Sequence, residues 1–271
     1  MDLAVLITAY NNAPLLRRCL LALTVQTDTR FQVVIADDGS NDSVRTLLAT
    51  PEFRGLSITH IWHEDQGFRR AAILNRAIAA VTADYIVMTD ADCVPRDDFI
   101  AQHRRIARPG TFVSGGIVNI PIPVHQQFSE DDLLSGRVFD IEFLASHDPA
   151  LRQQRRRLAK PGRWTGLMNL LTHRREVLRG NNCAAWRSDL LAVNGFDEGF
   201  TNYGSEDRDL GQRLANHGCR GRMLKYSVVA LHLDHKRPYI DPAAKRANRE
   251  RSKHRYWSGQ TWVDAGIKKA A

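Results

Sequence analysis

Four short apolar runs, Leu3–Thr8, Gln32–Ala36, Ser57–Trp62 and Tyr85–Thr89, begin 25 to 29 residues apart in the first third of the chain. That spacing holds one strand, one helix and their connections, the length of a βαβ unit. Each run is apolar nearly throughout rather than alternating, as expected of a parallel sheet covered on both faces. Between the first two runs, Leu15, Leu16, Cys19, Leu20 and Leu23 recur at helical spacing. Between the last two, Ala71, Leu74, Ala77, Ile78 and Val81 do the same, so both gaps are predicted to be helices. This half is read as a Rossmann-like α/β fold, with ligands expected beyond the C-terminal ends of the strands.

Polar residues gather at those ends: Thr8-Ala9-Tyr10-Asn11-Asn12, Asp37-Asp38-Gly39-Ser40 and Asp90-Ala91-Asp92. No glycine-rich dinucleotide or P-loop pattern follows a strand, which argues against those phosphate sites. Beyond Pro109 the reading is a strand over Phe112–Ile120, a turn at Pro121 and Pro123, and a helix across Asp131–Leu144. A helix over Ser205–Ala215, one or two strands in Met223–Leu233 and a basic helix over Ala243–Tyr256 complete it. With no repeat or low-complexity linker, one domain is expected over 1–236. It divides into a nucleotide-binding half (1–120) and an acceptor half (121–236), followed by a basic tail (237–271).

The net charge of +8 over 271 residues is unevenly placed. Residues 1–151 carry −6, 152–187 carry +9, 188–235 carry −2 and 236–271 carry +7. The body is acidic, and the positive excess sits in an internal segment and the C-terminal end. In 152–178, Arg152, Arg155, Arg156, Arg157, Lys160 and Arg163 precede Trp164, Leu167, Met168, Leu170 and Leu171, and His173, Arg174 and Arg175 follow. Cations bracketing an apolar patch with a Trp suit an interfacial helix, although a solvated helix with a core-facing stripe has the same composition. No apolar run reaches the ~20 residues that span a bilayer, and the N-terminus lacks a basic, cleavable leader pattern. The expectation is a cytoplasmic chain resting peripherally on the inner face of the plasma membrane, on anionic lipid, through 152–178 and 243–256. Cys19, Cys93, Cys183 and Cys219 are far apart and are expected to be reduced.

The residues with chemistry fall into a few groups. Asp90 and Asp92, two apart in an extended chain, would share a face and offer hard oxygen ligands to Mg²⁺ or Mn²⁺; they also read as ordinary loop acids. Asp37-Asp38-Gly39-Ser40 is a good turn and equally a place for a carboxylate that accepts from a ribose hydroxyl or a base N–H. Glu206 and Asp207 open a helix behind Ser205, where acids complement the helix dipole and where a general base for an acceptor hydroxyl would be held rigidly. His232 and His235 offer imidazole to a metal already held by carboxylates, and His60 and His63 offer the same with less support. Gly67, Phe68, Arg69 and Arg70 suit backbone approach, base stacking and diphosphate neutralisation, or a solvated loop and helix start.

Taken together, Thr8-Ala9-Tyr10-Asn11, Gln26-Thr27, Asp37-Asp38-Gly39-Ser40 and Asp90-Ala91-Asp92 resemble, in order and spacing, the inverting family 2 glycosyltransferases of the GT-A fold. The stretch Arg179–Leu214 resembles the C-terminal segment shared with β-1,4-galactosyltransferases and polypeptide N-acetylgalactosaminyltransferases. The resemblance spans residues 3–120 and 179–236. It implies that Thr8, Tyr10 and Asp38 hold uridine, that Phe68 and Arg70 lie near the nucleotide, and that Asp90 and Asp92 bind ribose and a metal diphosphate. It also implies Asp207 as base, Glu206 as an acceptor-side partner, and a histidine as third ligand to Mn²⁺ or Mg²⁺, His235 before His232. Tyr203 for the usual Trp, Ser205 for a glycine and the pair Asn181-Asn182 are departures on the acceptor and sugar side.

The implied reaction is transfer from a UDP-sugar to a hydroxyl of a glycan or lipid-linked acceptor, in envelope polysaccharide or lipopolysaccharide synthesis. A retaining glycosyltransferase or a nucleotidyltransferase on a similar fold is the nearer alternative. A nucleic-acid-binding protein would use the basic segments, yet carboxylates at the strand ends would repel phosphates, so no nucleic acid is expected.

Overall fold

β1 (Leu3–Ala9), β2 (Gln32–Asp37), β3 (Ile58–Trp62) and β4 (Tyr85–Asp90) lie parallel in the order β3-β2-β1-β4, within a residue or so of the apolar runs. The computed structural model describes residues 1–171, 178–236 and 241–269. α1 (Ala13–Thr24) connects β1 to β2, α2 (Asp42–Leu48) follows β2, and α3 (Arg70–Ala80) connects β3 to β4. The two-residue period of β1 sorts its side chains: Leu3, Val5 and Ile7 pack with Leu16, Cys19 and Leu20 of α1, while Ala4 and Leu6 pack with Ala71, Leu74 and Ile78 of α3. A helix thus covers each face, which is why these strands carry no polar face.

The sheet continues beyond β4 with the expected strands of Phe112–Ile120 and Met223–Leu233 and with two short strands that periodicity did not find. β5 (Cys93–Pro95), β6 (Thr111–Ile120), β7 (Asn182–Trp186) and β8 (Arg220–Leu233) extend the order to β3-β2-β1-β4-β7-β6-β8-β5. β7 is antiparallel to both β4 and β6, and β8 is parallel to β6. The expected one or two strands of Met223–Leu233 are one strand, whose register against β6 jumps at Gly115/Gly116. Asn182 is buried there and donates to the Gly116 and Val228 carbonyls at 3.0 and 3.2 Å, satisfying groups that the irregular ladder leaves over. The expectation that Asn182 belongs to the acceptor side is therefore corrected: it staples the bulge.

α4 (Phe99–Ile106) precedes β6, and α5 (Ile122–His125) follows it at the proline turn. The single helix expected across Asp131–Leu144 is two, α6 (Glu130–Leu134) and α7 (Ile141–His147), separated by a 3₁₀ turn. Gly136 at φ +72° breaks it, Ser129 and Asp132 form a capping box on α6, and Asp140 caps α7. α8 (Arg155–Leu158), α9 (Arg163–Leu171) and α10 (Arg187–Ala192) follow. His173, Arg174 and Arg175 of the basic segment lie outside the described residues.

α11 (Glu206–Asn216) and α12 (Pro242–Ser258) pack against each other. Arg255 of α12 donates to Asp209 of α11 at 3.1 Å and to Asp197 at 2.9 Å, and Arg251 donates to Asp197 at 2.8 Å. Arg213, fully buried, pairs with the other oxygen of Asp209 at 2.7 Å. The basic helix is docked beside α11 rather than extended as a tail. All four cysteines are buried and free. No described helix is long and apolar enough to cross a membrane.

Candidate active site

The strand ends of β1, β2 and β4 converge with the start of α11 and the end of β8, and a chain of carboxylates runs between them. In the β1–β4 ladder Thr8 stands opposite Asp90, and its hydroxyl donates to the Asp90 carboxylate. Asp90 ends β4, and Asp92 follows across a turn, so the expectation that an extended chain faces the pair alike is corrected. The turn sends the two acids to different partners.

Asp90 meets Arg70, the first residue of α3. The Arg70 guanidinium donates to Asp90 Oδ1 at 3.0 Å, to Asp207 Oδ1 at 3.0 Å and to Glu206 Oε1 at 3.1 Å. Burial alone would lower the Arg70 pKa, but the charges of Asp207, Asp90 and Glu206 outweigh it and hold the proton firmly.

Asp92 meets the imidazoles. β5 runs antiparallel to β8 with Cys93 opposite His232, which brings His232 Nε2 to 3.2 Å from Asp92 Oδ2. His235, two residues past β8, reaches the same oxygen at 3.0 Å. Burial pushes the Asp92 carboxyl up, yet hydrogen bonds and charge from the two histidines overcome it and hold it well below the usual carboxylate range. The two histidines that the sequence leaves as alternatives thus sit on one oxygen.

One carboxylate oxygen with two imidazole nitrogens, each about 3 Å from it, is a mixed oxygen and nitrogen donor set of the kind that a divalent ion takes. The side chains contact one another rather than surrounding a centre, so the described residues hold no preformed cage of three or more such ligands. In donor chemistry the residues fit Mn²⁺, which accepts imidazole beside carboxylate, better than Mg²⁺, which takes oxygen ligands.

At α11, Ser205 occupies the N-cap position with φ +76° and makes no side-chain cap, correcting the capping role its residue type suggests. Instead the acids are tied down individually. Asp207 Oδ2 accepts the Gly180 N–H at 3.0 Å, and Glu206 Oε2 accepts the Gly204 N–H at 3.0 Å. A Cβ on Gly180 would lie 2.4 Å from Asp207 Oδ1, so only glycine allows that approach. The Glu206 side chain is 4% exposed and that of Asp207 25%, so Asp207 is the more accessible of the two acids. Burial, then the Asp207 charge, pushes the Glu206 carboxyl up to about 7 against the pull of Arg70.

The β2 end carries a second set. Asp38 Oδ2 accepts the Arg69 N–H at 3.0 Å, and its Oδ1 lies 2.8 Å from His63 Nε2. Burial raises its pKa more than His63 and the amide lower it. Asp37 pairs with His60 at 2.8 Å and accepts the Ser40 N–H. His60 and His63 are therefore partners of the β2 acids, correcting the reading that groups them with a metal. Tyr10 is exposed and its hydroxyl donates to Asp65 at 3.0 Å, while Phe68 is half-exposed in the loop before α3.

Two features escaped sequence reading. A lone Gly180 has no spacing signal, because its role depends on a carboxylate 27 residues away. The resemblance puts Arg70 near the nucleotide, and nothing local shows that it bridges to residues 136 and 137 positions further on.

Comparison with known proteins identifies the family and the fold. The profile described as Glycosyl transferase family 2 matches residues 4–157, and that described as the N-terminal domain of galactosyltransferase matches 172–236. The chain is 30% identical over 234 residues to validoxylamine A glucosyltransferase of Streptomyces hygroscopicus subsp. jinggangensis, covering 80% of this chain and 52% of that protein. It is 25% identical to chondroitin synthase of Escherichia coli, covering 84% of this chain and 34% of the other. The chain therefore spans about half or less of the length of these relatives. A crystal structure of GalNAc-T7 with UDP, GalNAc and Mn²⁺ superposes with a TM-score of 0.65 at 13% identity, over 95% of this chain and 48% of that one.

Proposed function

The chain belongs to glycosyltransferase family 2 and has the GT-A fold, and on that premise we propose an inverting, metal-dependent transfer of a sugar from a UDP-sugar to a hydroxyl of a glycan or lipid-linked acceptor. The observation that carries the reading is the partly open Asp207, fixed by Gly180 and joined through Arg70 to Asp90 at the donor side. A single displacement needs a base on one side of the anomeric carbon and the departing diphosphate on the other.

In this reading Asp207 accepts the proton of the acceptor hydroxyl while the oxygen attacks, and the configuration inverts. Gly180 N–H and Arg70 keep the carboxylate aimed without protonating it. Glu206, beside it and nearly closed off, hydrogen-bonds the acceptor when the acceptor displaces Arg70 from it. Asp38, Thr8 and Tyr10 line the uridine end, Phe68 supplies a stacking face, and Asp90 orients the ribose. Asp92, Asp90, His235 and His232 would hold Mn²⁺ or Mg²⁺, which when bound supplies positive charge to the leaving UDP. Similarity to a chondroitin synthase supports a saccharide acceptor and a role in envelope polysaccharide or lipopolysaccharide synthesis. The proposed location is cytoplasmic and peripheral, on an anionic inner leaflet through 152–178 and 243–256, with Arg251 and Arg255 of α12 engaged within the fold.

A panel of UDP-sugars with Mn²⁺, scored by protection against thermal unfolding and then by NMR of the product anomer, tests the reading. Asp207→Asn is expected to lower transfer by at least ~10²-fold with UDP binding retained. Asp92→Ala is expected to abolish the metal dependence of donor binding. A retained anomeric configuration, or full activity in Asp207→Asn, would overturn it.

A further inference from the structure

At the far end of β8 from the histidines, the end of α4, the start of β6 and α9 enclose a cleft of about 430 Å³. Arg105, Arg108, Arg220 and Arg222 line it, and no carboxylate does among the described residues. Arg105 donates to the Gln102 side chain and Arg222 to the Ile106 carbonyl, partners that carry no negative charge. Burial and then the Arg108 charge push the Arg222 pKa down, with Arg220 adding to it, so the guanidinium groups work against one another. Like charges brought together in a partly desolvated cleft are a standing cost until an anion enters.

α9 forms one wall, and its polarity is the reverse of a soluble helix. Thr165 and Asn169 are buried, and the Asn169 side chain bonds the Ser227 hydroxyl at 2.7 Å and the Tyr226 N–H at 3.1 Å. Leu167, Leu170 and Leu171, spaced to share one face, are 59%, 73% and 70% exposed, and Leu170 stands at the rim of the cleft. The helix is fixed to the sheet by its polar residues and presents leucines to solvent beside four cations that have no carboxylate partner among the described residues. An apolar face next to a cationic cleft complements one surface chemistry, phosphate headgroups over an acyl layer.

We propose that the arginine cleft and the leucine face of α9 form the docking site for an anionic lipid bilayer, with the guanidinium groups on headgroup phosphates and the leucines at the acyl boundary. This rests on the peripheral location proposed above and assigns it to residues, all four arginines lying outside 152–187 and 236–271. Arg222 is ten residues from His232 along β8, roughly 30 Å at strand rise, so the cleft is separable from the catalytic residues.

The full chain is sedimented with vesicles of phosphatidylcholine alone and with vesicles one third phosphatidylglycerol. Wild type is expected to bind the anionic vesicles only. Arg108→Gln with Arg220→Gln is expected to weaken binding about 30-fold, from about 1 kcal/mol per basic residue. Leu167→Ser with Leu170→Ser is expected to weaken it at least ~10-fold, the thermal unfolding midpoint of both variants staying near that of wild type. Anionic-vesicle binding that survives both double substitutions overturns the cleft assignment and leaves the peripheral location standing; a wild type that binds neither vesicle overturns both. Displacement from vesicles by millimolar inorganic phosphate, or preference for duplex DNA over vesicles, overturns the lipid assignment.

Discussion

Asp90 and Asp207 accept hydrogen bonds from the same guanidinium, that of Arg70, each at 3.0 Å, although they lie 117 positions apart in the chain. One cation therefore ties the last residue of the central parallel strand to the second residue of α11, and Glu206 shares it at 3.1 Å. The position of the proposed base relative to the donor end depends on this side chain.

Arg70→Gln leaves three carboxylates at the site without their cation. We expect a loss of about 3 kcal/mol in unfolding free energy at pH 8, the range for breaking a buried pair. The loss should shrink at pH 5, where Glu206 holds a proton. Urea denaturation at the two pH values measures it, and an equal loss at both would show that Glu206 does not carry the difference. Transfer should fall by at least ~10²-fold because Asp207 loses its orienting partner.

Glu206, with its pKa up near 7 against an ordinary 4.5, binds its proton more tightly when folded. Its contribution to stability is complete below pH 4.5 and is lost as pH rises towards 7, amounting to about 3 kcal/mol. Glu206→Gln cannot titrate, so the difference in unfolding free energy between wild type and variant should change over that window and be flat above it. The pH–rate profile of wild type should bend near 7, and that bend should be missing in the variant.

Ser205 sits at φ +76° without a compensating cap, a conformation that a side chain disfavours and glycine does not. Ser205→Gly is expected to stabilise the protein by up to about 1 kcal/mol, a rise of roughly 2 °C in unfolding midpoint. Ser205→Ala keeps the Cβ and should give no rise, so a gain in both variants would rule out relief of backbone strain as its source.

His103 is fully buried, its ring centroid 4.6 Å from that of Phe99, and burial lowers its pKa to about 3. A folded value below the unfolded 6.5 means that its contribution is present above pH 6.5 and is lost as pH falls towards 3, a matter of several kcal/mol. His103→Phe keeps the ring packing and removes the titration. Its unfolding midpoint should fall less steeply than that of wild type between pH 6.5 and 4, as followed by circular dichroism.

Much of the first half was legible because its signals are local. Strand length, helical spacing and the polar residues at strand ends all lie within a few positions of one another, and β1 to β4 with α1 and α3 stand where those signals put them. β5 and β7 were not legible: a three-residue strand and an Asn-Cys-Ala-Ala-Trp stretch have no period to detect, and only pairing with β8, β4 and β6 makes them strands. The helix over Asp131–Leu144 failed at Gly136, whose positive φ an otherwise helical composition concealed.

The sequence by itself determined the α/β class, the family and the residue types at the site, because family order and strand-end position are properties of the chain read in one direction. Only the tertiary structure decided which acid meets which partner. The turn after β4 separates Asp90 from Asp92, the β5–β8 pairing sets both histidines on Asp92, and the start of α3 places Arg70 among Asp90, Glu206 and Asp207. Hydrogen bonds and charge act over a few ångströms of space, and a distance of 117 residues along the chain carries no trace of them.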